Sequence, residues 1–337
     1  MKLSRNRFRN IYIEYACESD AVTQHILKVF PHSEIIYINR YKELFSTPKH
    51  AYSLQKASTS LILARKTNNF LYSGSQFAQS TGFKNFFYNT ILLNCIYDCH
   101  YCYLQGLFPS PNLVCFTNLE DFFSNTSTAI SQRNNQGEPL FLSLSYDTDI
   151  LAFESIFPFA RRWIEYCSNN NNLIVEVRTK STNFKTLSDI PSIPNVIFSW
   201  SLSPEIIAQN FEIGAPSPKS RLASIKQAIR MGWKVRLCFD PVILIKSWRE
   251  IYLDYFKTVF QEINPMNIHD VTLGSFRMSS QHLKQARKHR PELGILHRDW
   301  KVNNGIASYG KEKREEISSF LRNELLQWFR PPQVSVW

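Results

Sequence analysis

The sequence predicts an α/β protein built on a partial (β/α)6 barrel, with a small N-terminal α/β unit and a C-terminal hairpin and helix extension. Two observations lead to this fold class. From about residue 86, short apolar stretches with strand character alternate with helical stretches. Polar or reactive residues directly follow several of these strands. Such alternation is typical of parallel strands joined by helices.

The first 85 residues have the pattern of a small βαβ unit. Residues 11–14 and 35–38 read as strands, and residues 21–30 between them read as a helix. We therefore expect an N-terminal α/β domain at 1–85.

Six strand candidates follow. They occupy residues 87–94, 140–146, 173–178, 196–202, 234–242 and 270–275. Thr117 and Glu120 have the spacing of a capping box ahead of one intervening helix, and Gly232 can end another. These elements predict a barrel domain at 86–262 and a C-terminal extension at 263–337 that completes the barrel.

The charge balance indicates a polyanionic partner. Lys and Arg number 39 against 28 Asp and Glu, a formal net charge of +11, which suits nucleic acid or an anionic membrane surface. No secretory signal or run of eighteen apolar residues is present, so we expect a cytoplasmic protein without a membrane span. Its seven cysteines are an odd number, and a reducing compartment disfavours disulfides.

The ends of the predicted strands carry the candidate site. In order they give Cys95, the segment 146–149, Lys180, Ser201 and Asp240. Chemistry in such barrels is located at the carboxyl ends of the strands, so these residues are expected to share one rim.

Three cysteines form a compact C-x3-C-x2-C motif of Cys95, Cys99 and Cys102. Cysteine thiolates are the usual ligands of iron–sulfur clusters. Three ligands on a [4Fe-4S] cluster leave one iron open, and that iron can chelate S-adenosyl-L-methionine. An electron from the cluster then breaks a C–S bond and gives a 5′-deoxyadenosyl radical.

A zinc site formed by the three cysteines and His100 is the alternative. Structural zinc sites commonly show paired knuckles, whereas this chain has one compact loop and no second pair. The spacing therefore favours iron–sulfur. Tyr101, directly before the last cysteine, can pack against the adenine of the bound cofactor.

The motif CHYCYLQ at 99–105 resembles the radical S-adenosylmethionine superfamily, and more closely the spore photoproduct lyase family. Further similarity lies in RTKS around Lys180, in FSWSLSPE at 198–205 and in NFEIGAPSP at 210–218. The resemblance covers roughly residues 10–330.

The resemblance implies a radical enzyme that reverses a thymine photodimer in DNA. It implies a [4Fe-4S] cluster, S-adenosyl-L-methionine, an electron donor such as a flavodoxin or ferredoxin, and a monomer. By position in the family pattern, Tyr101, Thr148, Lys180 and Ser201 are expected to contact the cofactor. Tyr103 matches a tyrosine of the family's radical relay.

One departure from the family concerns the hydrogen-atom donor. The family has a catalytic cysteine on the rim after the second barrel strand, where this chain has Tyr146, and no cysteine lies within 140–160. Three interpretations stay open: Tyr146 donates the hydrogen atom itself, Cys238 supplies a thiol from another strand, or the enzyme catalyses a different reaction.

The resemblance also directs attention to DNA contacts in the extension. The basic segment 282–290 could contact phosphates, and segment 296–310 could be the counterpart of the family's C-terminal hairpin. Trp300 or Tyr309 is then expected to act as a wedge in the duplex.

Two rival functions remain. One is a radical enzyme that acts on a different nucleic acid, a peptide or a metabolite. The other is a non-enzymatic, metal-stabilised nucleic-acid-binding protein.

Overall fold

The structure is a computed structural model that describes residues 7–46, 51–74, 82–144 and 146–337. The chain forms two compact units. Unit 1 comprises Met1–Ile96 and Leu107–Val177, and unit 2 comprises Tyr97–Gly106 and Arg178–Trp337. The domain boundaries expected at residues 85 and 262 stay a prediction.

Among its described residues, unit 1 contains two groups of strands and five α-helices. Its strands are β1 (Asn10–Glu14), β2 (Glu34–Ile38), β3 (Leu61–Ala64), β4 (Leu71–Ser73), β5 (Phe86–Asn89), β6 (Leu92–Leu93), β8 (Leu113–Phe116), β9 (Leu140–Ser143) and β10 (Leu173–Thr179), the last two residues of which belong to unit 2. Its helices are α1 (Ala21–Val29), α2 (Lys42–Phe45), α3 (Tyr52–Ala57), α5 (Leu119–Gln132) and α6 (Phe159–Ser168).

The N-terminal βαβ pattern is confirmed. The helix α1 connects β1 to β2, and these two strands pair in parallel. They belong to a five-stranded sheet of order β2-β1-β3-β8-β6. The core of this sheet is apolar, since Ile11, Ile13 and the whole of β3 are buried. Burial on this scale is what holds a parallel sheet together.

The predicted strand at 87–94 is wrong as one element. Strand β5 pairs with β4 and β9, whereas β6 pairs with β8 in the other sheet. The chain changes sheets after Asn89, which is fully buried. An apolar run does not reveal such a switch, because both halves are buried strands.

The predicted capping box is also wrong. The helix α5 begins at Leu119, after Asn118 rather than after Thr117. The Thr117 hydroxyl donates instead to Oδ2 of Asp20 at 2.6 Å. This bond uses the hydroxyl hydrogen, whereas an N-cap uses the hydroxyl oxygen as an acceptor. The capping box is absent because the helix starts one residue later, with Asn118 at its N-cap.

Unit 2 is built on a run of parallel strands. Its strands are β7 (Asp98–Cys99), β11 (Val196–Ser201), β12 (Glu212–Ile213), β13 (Lys234–Val242), β14 (Asp270–Ser275), β15 (Arg277–Ser279), β16 (Lys301–Asn303), β17 (Ile306–Ser308) and β18 (Val334–Val336). Its helices are α7 (Glu205–Phe211), α8 (Pro218–Arg230), α9 (Trp248–Glu262), α10 (Ser280–His289) and α11 (Lys311–Leu325), and α4 (Leu104–Leu107) begins here and ends with a residue of unit 1.

Parallel pairing runs through the barrel strands of both units. In unit 1, β5 pairs with β9 and β9 with β10. In unit 2, β11 pairs with β13, β13 with β14, and β14 with β18. The five later strand predictions are thus recovered with small shifts at their ends, and Gly232, at φ +81°, follows α8 as expected. The short strand β18 was not predicted.

The C-terminal extension does contain a hairpin. Strands β16 and β17 pair antiparallel, with Asn304 and Gly305 at positive φ in the turn. Trp300 is only 7% exposed and stacks on Phe276 at 4.0 Å. The hydroxyl of Tyr309 accepts a hydrogen bond from the Leu244 amide at 2.8 Å. Both wedge candidates are therefore packing residues.

The basic segment 282–290 is largely committed to internal contacts. Arg287 donates through Nε to the Leu296 carbonyl at 2.8 Å, and Arg290 forms an ion pair with Asp98 at 2.8 Å. Only Lys284 and Lys288 of its cationic side chains are exposed, so α10 is not a continuous phosphate-contacting stripe. No helix in the described ranges is long and apolar enough to cross a lipid bilayer.

Candidate active site

The cysteine motif is divided between the two units. Cys95 is half-buried in unit 1 and follows Asn94, whose side-chain amide donates to the carbonyls of Ser110 and Asn112 at 2.8 and 2.7 Å. These bonds hold Asn94 at φ +68°. Lys56 donates to the Cys95 carbonyl at 3.2 Å, which fixes the backbone around the first thiol.

Cys99 and Cys102 lie on a loop of unit 2 that spans residues 97–106. Cys99 is buried in β7, which pairs antiparallel with β12 so that Cys99 faces Glu212 in the register. The half-buried Cys102 closes a turn by donating its amide to the Cys99 carbonyl at 3.1 Å. The last two thiols are thus placed by backbone pairing.

Helix α10 anchors the same loop from the other side. Arg290 Nη1 donates to Asp98 at 2.8 Å and to the Gln105 side chain at 3.0 Å. Gly106 packs so closely that a Cβ there would lie 1.9 Å from the His282 carbonyl oxygen. The shape of the loop therefore depends on contacts made by the chain itself.

A buried carboxylate organises the polar residues of unit 2. Glu212 accepts hydrogen bonds from the Tyr101 hydroxyl, from Ser203 Oγ at 3.0 Å and from Arg221. Lys180 Nζ lies 4.0 Å from the same carboxylate. The side chains of Glu212 and Arg221 have no exposed surface, and buried charges of this kind require partners.

The electrostatics follow from this pairing. Burial disfavours the charged form of Glu212, but Lys180 and Arg221 outweigh it and hold the pKa of the carboxyl below its usual value. Burial likewise opposes the charge of Lys180, yet Glu212, Cys99 and Cys102 raise its pKa. The Lys180 ammonium therefore stays charged within this buried group.

Five of the predicted site residues gather in unit 2. Tyr101 and Lys180 meet at Glu212, and the Lys180 ammonium lies 5.7 Å from the centre of the Tyr101 ring. Ser201 joins them through its carbonyl, which accepts from Arg221 Nη1 at 3.1 Å. Cys99 and Cys102 complete the group, as described above. Tyr103 is half-buried on the same loop and stacks on His282 at 6.4 Å.

The rim of unit 1 holds the remaining predicted residues after β9. Thr148 is buried, and its hydroxyl has no hydrogen-bond partner. An unpaired buried hydroxyl costs about 1–3 kcal/mol, so this oxygen suits a group supplied by a ligand. Asp149 instead accepts from the Ala152 amide at 3.0 Å and caps a short 3-10 turn.

Tyr146 ends a column of three stacked tyrosines in unit 1. Its ring lies 4.1 Å from that of Tyr88, and Tyr88 lies 5.2 Å from Tyr72. Tyr72 and Tyr88 are register partners in β4 and β5, which brings their rings together. Burial, with Asp147 and the neighbouring tyrosines, raises the pKa of Tyr88 to about 12, so its phenol stays protonated.

Sequence reasoning missed Glu212, Arg221 and the column beyond Tyr146. Glu212 lies inside the segment NFEIGAPSP, where a carboxylate among apolar residues is the one signal that could have identified it. Pairing with Arg221 brings together residues from different elements, β12 and α8. The Tyr72–Tyr88 contact depends on strand register, which the sequence does not fix.

No group of three or more His, Cys, Asp or Glu side chains in the described residues is arranged to hold a metal ion. All seven cysteines are thiols rather than disulfides. The assignment of Cys95, Cys99 and Cys102 as cluster ligands therefore stays a prediction, favoured by motif spacing and by the cationic surroundings of two of them.

Comparison with known proteins identifies the family. The family model for spore photoproduct lyase matches residues 50–335. The spore photoproduct lyase of Geobacillus sp. (strain Y412MC61) is 21% identical over 250 residues, 71% of this chain and 73% of that protein. The Bacillus subtilis (strain 168) enzyme is 23% identical over 255 residues, 70% of this chain and 73% of that protein.

Solved structures agree on the fold. A spore photoproduct lyase complexed with dinucleoside spore photoproduct matches with a TM-score of 0.82 at 19% identity, covering 98% of both chains. A variant with bound AdoMet and dinucleoside spore photoproduct matches with a TM-score of 0.81 at 20% identity and the same coverage. This likeness confirms the predicted α/β fold. The chain belongs to the spore photoproduct lyase family, and hence to the radical S-adenosylmethionine superfamily.

Proposed function

We propose that this chain reverses thymine photoproduct damage in DNA with S-adenosyl-L-methionine and a [4Fe-4S] cluster. The observation that carries the proposal is the gathering of Cys99, Tyr101 and Lys180 at the buried carboxylate of Glu212, with Cys102 on the same loop and acting on the charge of Lys180. A protein that only binds nucleic acid has no need of such a costly charged group next to a cysteine motif.

Cys95, Cys99 and Cys102 would hold the cluster. The ammonium of Lys180 beside two of these thiols supports thiolate ligation. When bound and reduced, the cluster supplies the electron that cleaves S-adenosyl-L-methionine to a 5′-deoxyadenosyl radical.

Four residues would contact S-adenosyl-L-methionine. Lys180 offers a positive charge to its carboxylate, and Tyr101 offers an aromatic ring for its adenine. Ser201 ends β11 beside the Glu212 group, and Thr148 has a buried hydroxyl with no partner. Each assignment rests on a family position together with a local environment that suits a polar ligand.

Tyr146 would return the hydrogen atom to the substrate radical, with Tyr103 as the second candidate in the relay. The face-to-face contact of Tyr146 with Tyr88 restrains its ring, and a hydrogen-atom donor must be held in one orientation. Cys238 is the competing donor, but its side chain is buried in β13 and only 1% exposed.

DNA would bind through the excess of positive charge and the β16–β17 hairpin. Lys301 and Val302 are exposed on that hairpin, by 64% and 60%, and Lys301 is paired with the exposed Asp299 at 2.7 Å. A cation beside an apolar side chain suits a backbone contact next to a distorted base step. We further propose that the enzyme acts as a monomer in the cytoplasm and takes electrons from a flavodoxin or ferredoxin.

A different substrate is the second candidate function. No cysteine lies at 140–160, where the family carries its hydrogen donor. This departure favours a radical enzyme that acts on another nucleic acid, a peptide or a metabolite.

The test is an anaerobic turnover assay. The reconstituted, reduced protein is incubated with S-adenosyl-L-methionine and DNA that carries spore photoproduct, and 5′-deoxyadenosine and repaired thymine are both quantified. Formation of both in proportion supports the proposal. Formation of 5′-deoxyadenosine without repaired thymine supports the second candidate, and neither product from fully loaded protein contradicts both.

A pair of variants identifies the hydrogen donor. Tyr146→Phe removes only the phenolic hydroxyl, so it should keep the ring stack and 5′-deoxyadenosine formation while repaired thymine is lost. Cys238→Ala is the matched control and should repair normally. The reverse pattern would assign the role to Cys238.

A further inference from the structure

A second polar cluster lies at the carboxyl ends of β13 and β14 in unit 2. Asp240 is near the end of β13, Gly274 is near the end of β14, and Arg277 begins β15. Arg178 joins them through an ion pair of 3.0 Å between its Nη2 and Asp240 Oδ2. Barrel enzymes bind substrates at the carboxyl ends of their strands, and the proposed cofactor contacts use none of these residues.

Gly274 allows two of these groups to approach the backbone of β14 closely. A Cβ at this position would lie 2.8 Å from Asp240 Oδ1 and 3.3 Å from Arg277 Nη1. Both atoms therefore lie against the same face of the glycine. A larger residue would clash with them and push one of the two groups away.

Arg277 has an unsatisfied donor in this place. Its Nη1 is buried and has no hydrogen-bond partner. Buried donors without partners are uncommon in folded proteins, and a guanidinium nitrogen is among the costlier ones to leave unpaired. Such an atom indicates a partner that arrives with a ligand.

The charges of the cluster decide the chemistry of that ligand. Arg178 already neutralises the charge of Asp240 through a hydrogen bond to Oδ2. Asp240 Oδ1 then remains as an acceptor near the donor Nη1 of Arg277. A phosphate bound here would lie next to the carboxylate oxygen of Asp240 as well as the guanidinium, and two anionic acceptors cannot hydrogen-bond to each other. A neutral cyclic imide instead presents a carbonyl oxygen beside an N–H group, which complements a donor beside an acceptor.

We propose that Arg277 and Asp240 bind the imide edge of a thymine ring of the substrate. Arg277 Nη1 donates to a ring carbonyl, and Asp240 Oδ1 accepts the ring N3–H. This assignment rests on the proposed function and adds to it a site that reads the base itself. The glycine at position 274 serves this site by letting both side chains lie close to the strand end.

The experiment measures binding to the full chain with cluster and S-adenosyl-L-methionine, without reductant so that no turnover occurs. The ligands are the dinucleoside spore photoproduct, its N3-methylated analogue and the corresponding dinucleotide with a bridging phosphate. N3-methylation removes the N–H, so the unaltered chain should bind the methylated ligand about tenfold more weakly. This comparison needs no mutation and cannot be confused with misfolding.

Variants then locate the effect. Asp240→Ala should bind the two dinucleosides with equal, weak affinity, and Arg277→Gln should weaken both by about tenfold or more. Arg249→Gln, at an exposed arginine paired with Glu316, is the control and should bind as the unaltered chain does.

Three outcomes would overturn the inference. Equal binding of methylated and unmethylated ligand by the unaltered chain excludes an imide contact. An effect of Arg277→Gln confined to the ligand with the phosphate would assign the arginine to the backbone. If none of the three ligands binds, the proposed function is overturned together with this site.

Discussion

The Glu212 group of unit 2 and the rim after β9 in unit 1 are prepared for ligands in opposite ways. In unit 2, Glu212 and Arg221 are fully buried, and the carboxylate is surrounded by donors. After β9 in unit 1, Thr148 has a buried hydroxyl with no partner, and Tyr146 rests on a neutral aromatic column. The Glu212 group is held by charge pairing within the chain, whereas the rim after β9 leaves a polar group that a ligand can satisfy. The predictions below test this difference.

The largest expected effect is the loss of the buried charge of unit 2. Glu212→Gln leaves Arg221 and Lys180 without their counter-charge, so the free energy of unfolding should fall by about 3–5 kcal/mol. Denaturant titration of the unliganded chain measures it. Glu262→Gln, in a partly exposed pair with Lys226, should change stability by less than about 1 kcal/mol. Equal effects would mean that burial does not distinguish the two pairs.

A second charge pair of unit 2 should give stability a pH dependence. Burial opposes ionisation of Asp270, but hydrogen bonds from Arg236 and His269 lower its pKa from 3.8 to about 2. A lowered pKa in the folded state adds stability above pH 4 that disappears as the pH falls towards 2. Asp270→Asn should therefore lower the free energy of unfolding by about 2 kcal/mol at neutral pH.

The comparison of Asp270→Asn with the unaltered chain should be made by denaturation at several pH values. The gap between the two proteins should narrow steadily below pH 4. A gap that does not depend on pH would show that the variant acts through packing rather than through the charge.

Thr148→Val tests the unsatisfied rim of unit 1. Removal of a buried hydroxyl that has no partner should raise the free energy of unfolding of the unliganded chain by about 1 kcal/mol. The same change should weaken binding of S-adenosyl-L-methionine by about fivefold to tenfold. Thermal unfolding and equilibrium binding measure the two effects.

Thr117→Val is the matched control within the same unit. Its hydroxyl bonds Asp20 at 2.6 Å and the Ala64 carbonyl at 3.2 Å, so this variant should be less stable and bind the cofactor normally. If Thr148→Val also lost stability, the hydroxyl of Thr148 would have a partner in the unliganded chain, and the contrast between the rims would not hold.

The smallest effect is expected in the aromatic column. Tyr88→Leu removes the ring between Tyr72 and Tyr146 and should cost about 1 kcal/mol of stability beyond the lost buried area. Tyr88→Phe keeps the ring and should be nearly neutral. A double-mutant cycle with Tyr146→Leu measures the stacking energy directly, and a coupling of zero would show that the rings do not support one another.

The sequence supports prediction wherever the determining interactions are local. The strands at 173–178, 196–202 and 270–275 were recovered because apolar runs and flanking turns define buried parallel strands. The cysteine motif and Lys180 could be proposed as site residues because their spacing and position relative to strand ends carry chemical meaning. The end of α8 at Gly232 followed from the conformational freedom of glycine.

Non-local choices were out of reach. Nothing in the run 87–94 reveals that its two halves join different sheets. Likewise, nothing near Thr117 reveals that its hydroxyl will donate a hydrogen bond to Asp20. Trp300 looked like a probe of the duplex because it is large, whereas its burial against Phe276 depends on tertiary packing. Each failure concerns a partner distant in sequence, and pairing of that kind is decided by the whole fold.

The anchored loop at 97–106 has a consequence for how the protein matures. Arg290 bonds Asp98 and Gln105, and Gly106 leaves no clearance against His282. These ties are peptide and side-chain contacts that form during folding, without any inorganic component. We therefore expect the loop to take this shape without iron and sulfide, so that apoprotein purified in air should accept a cluster without refolding.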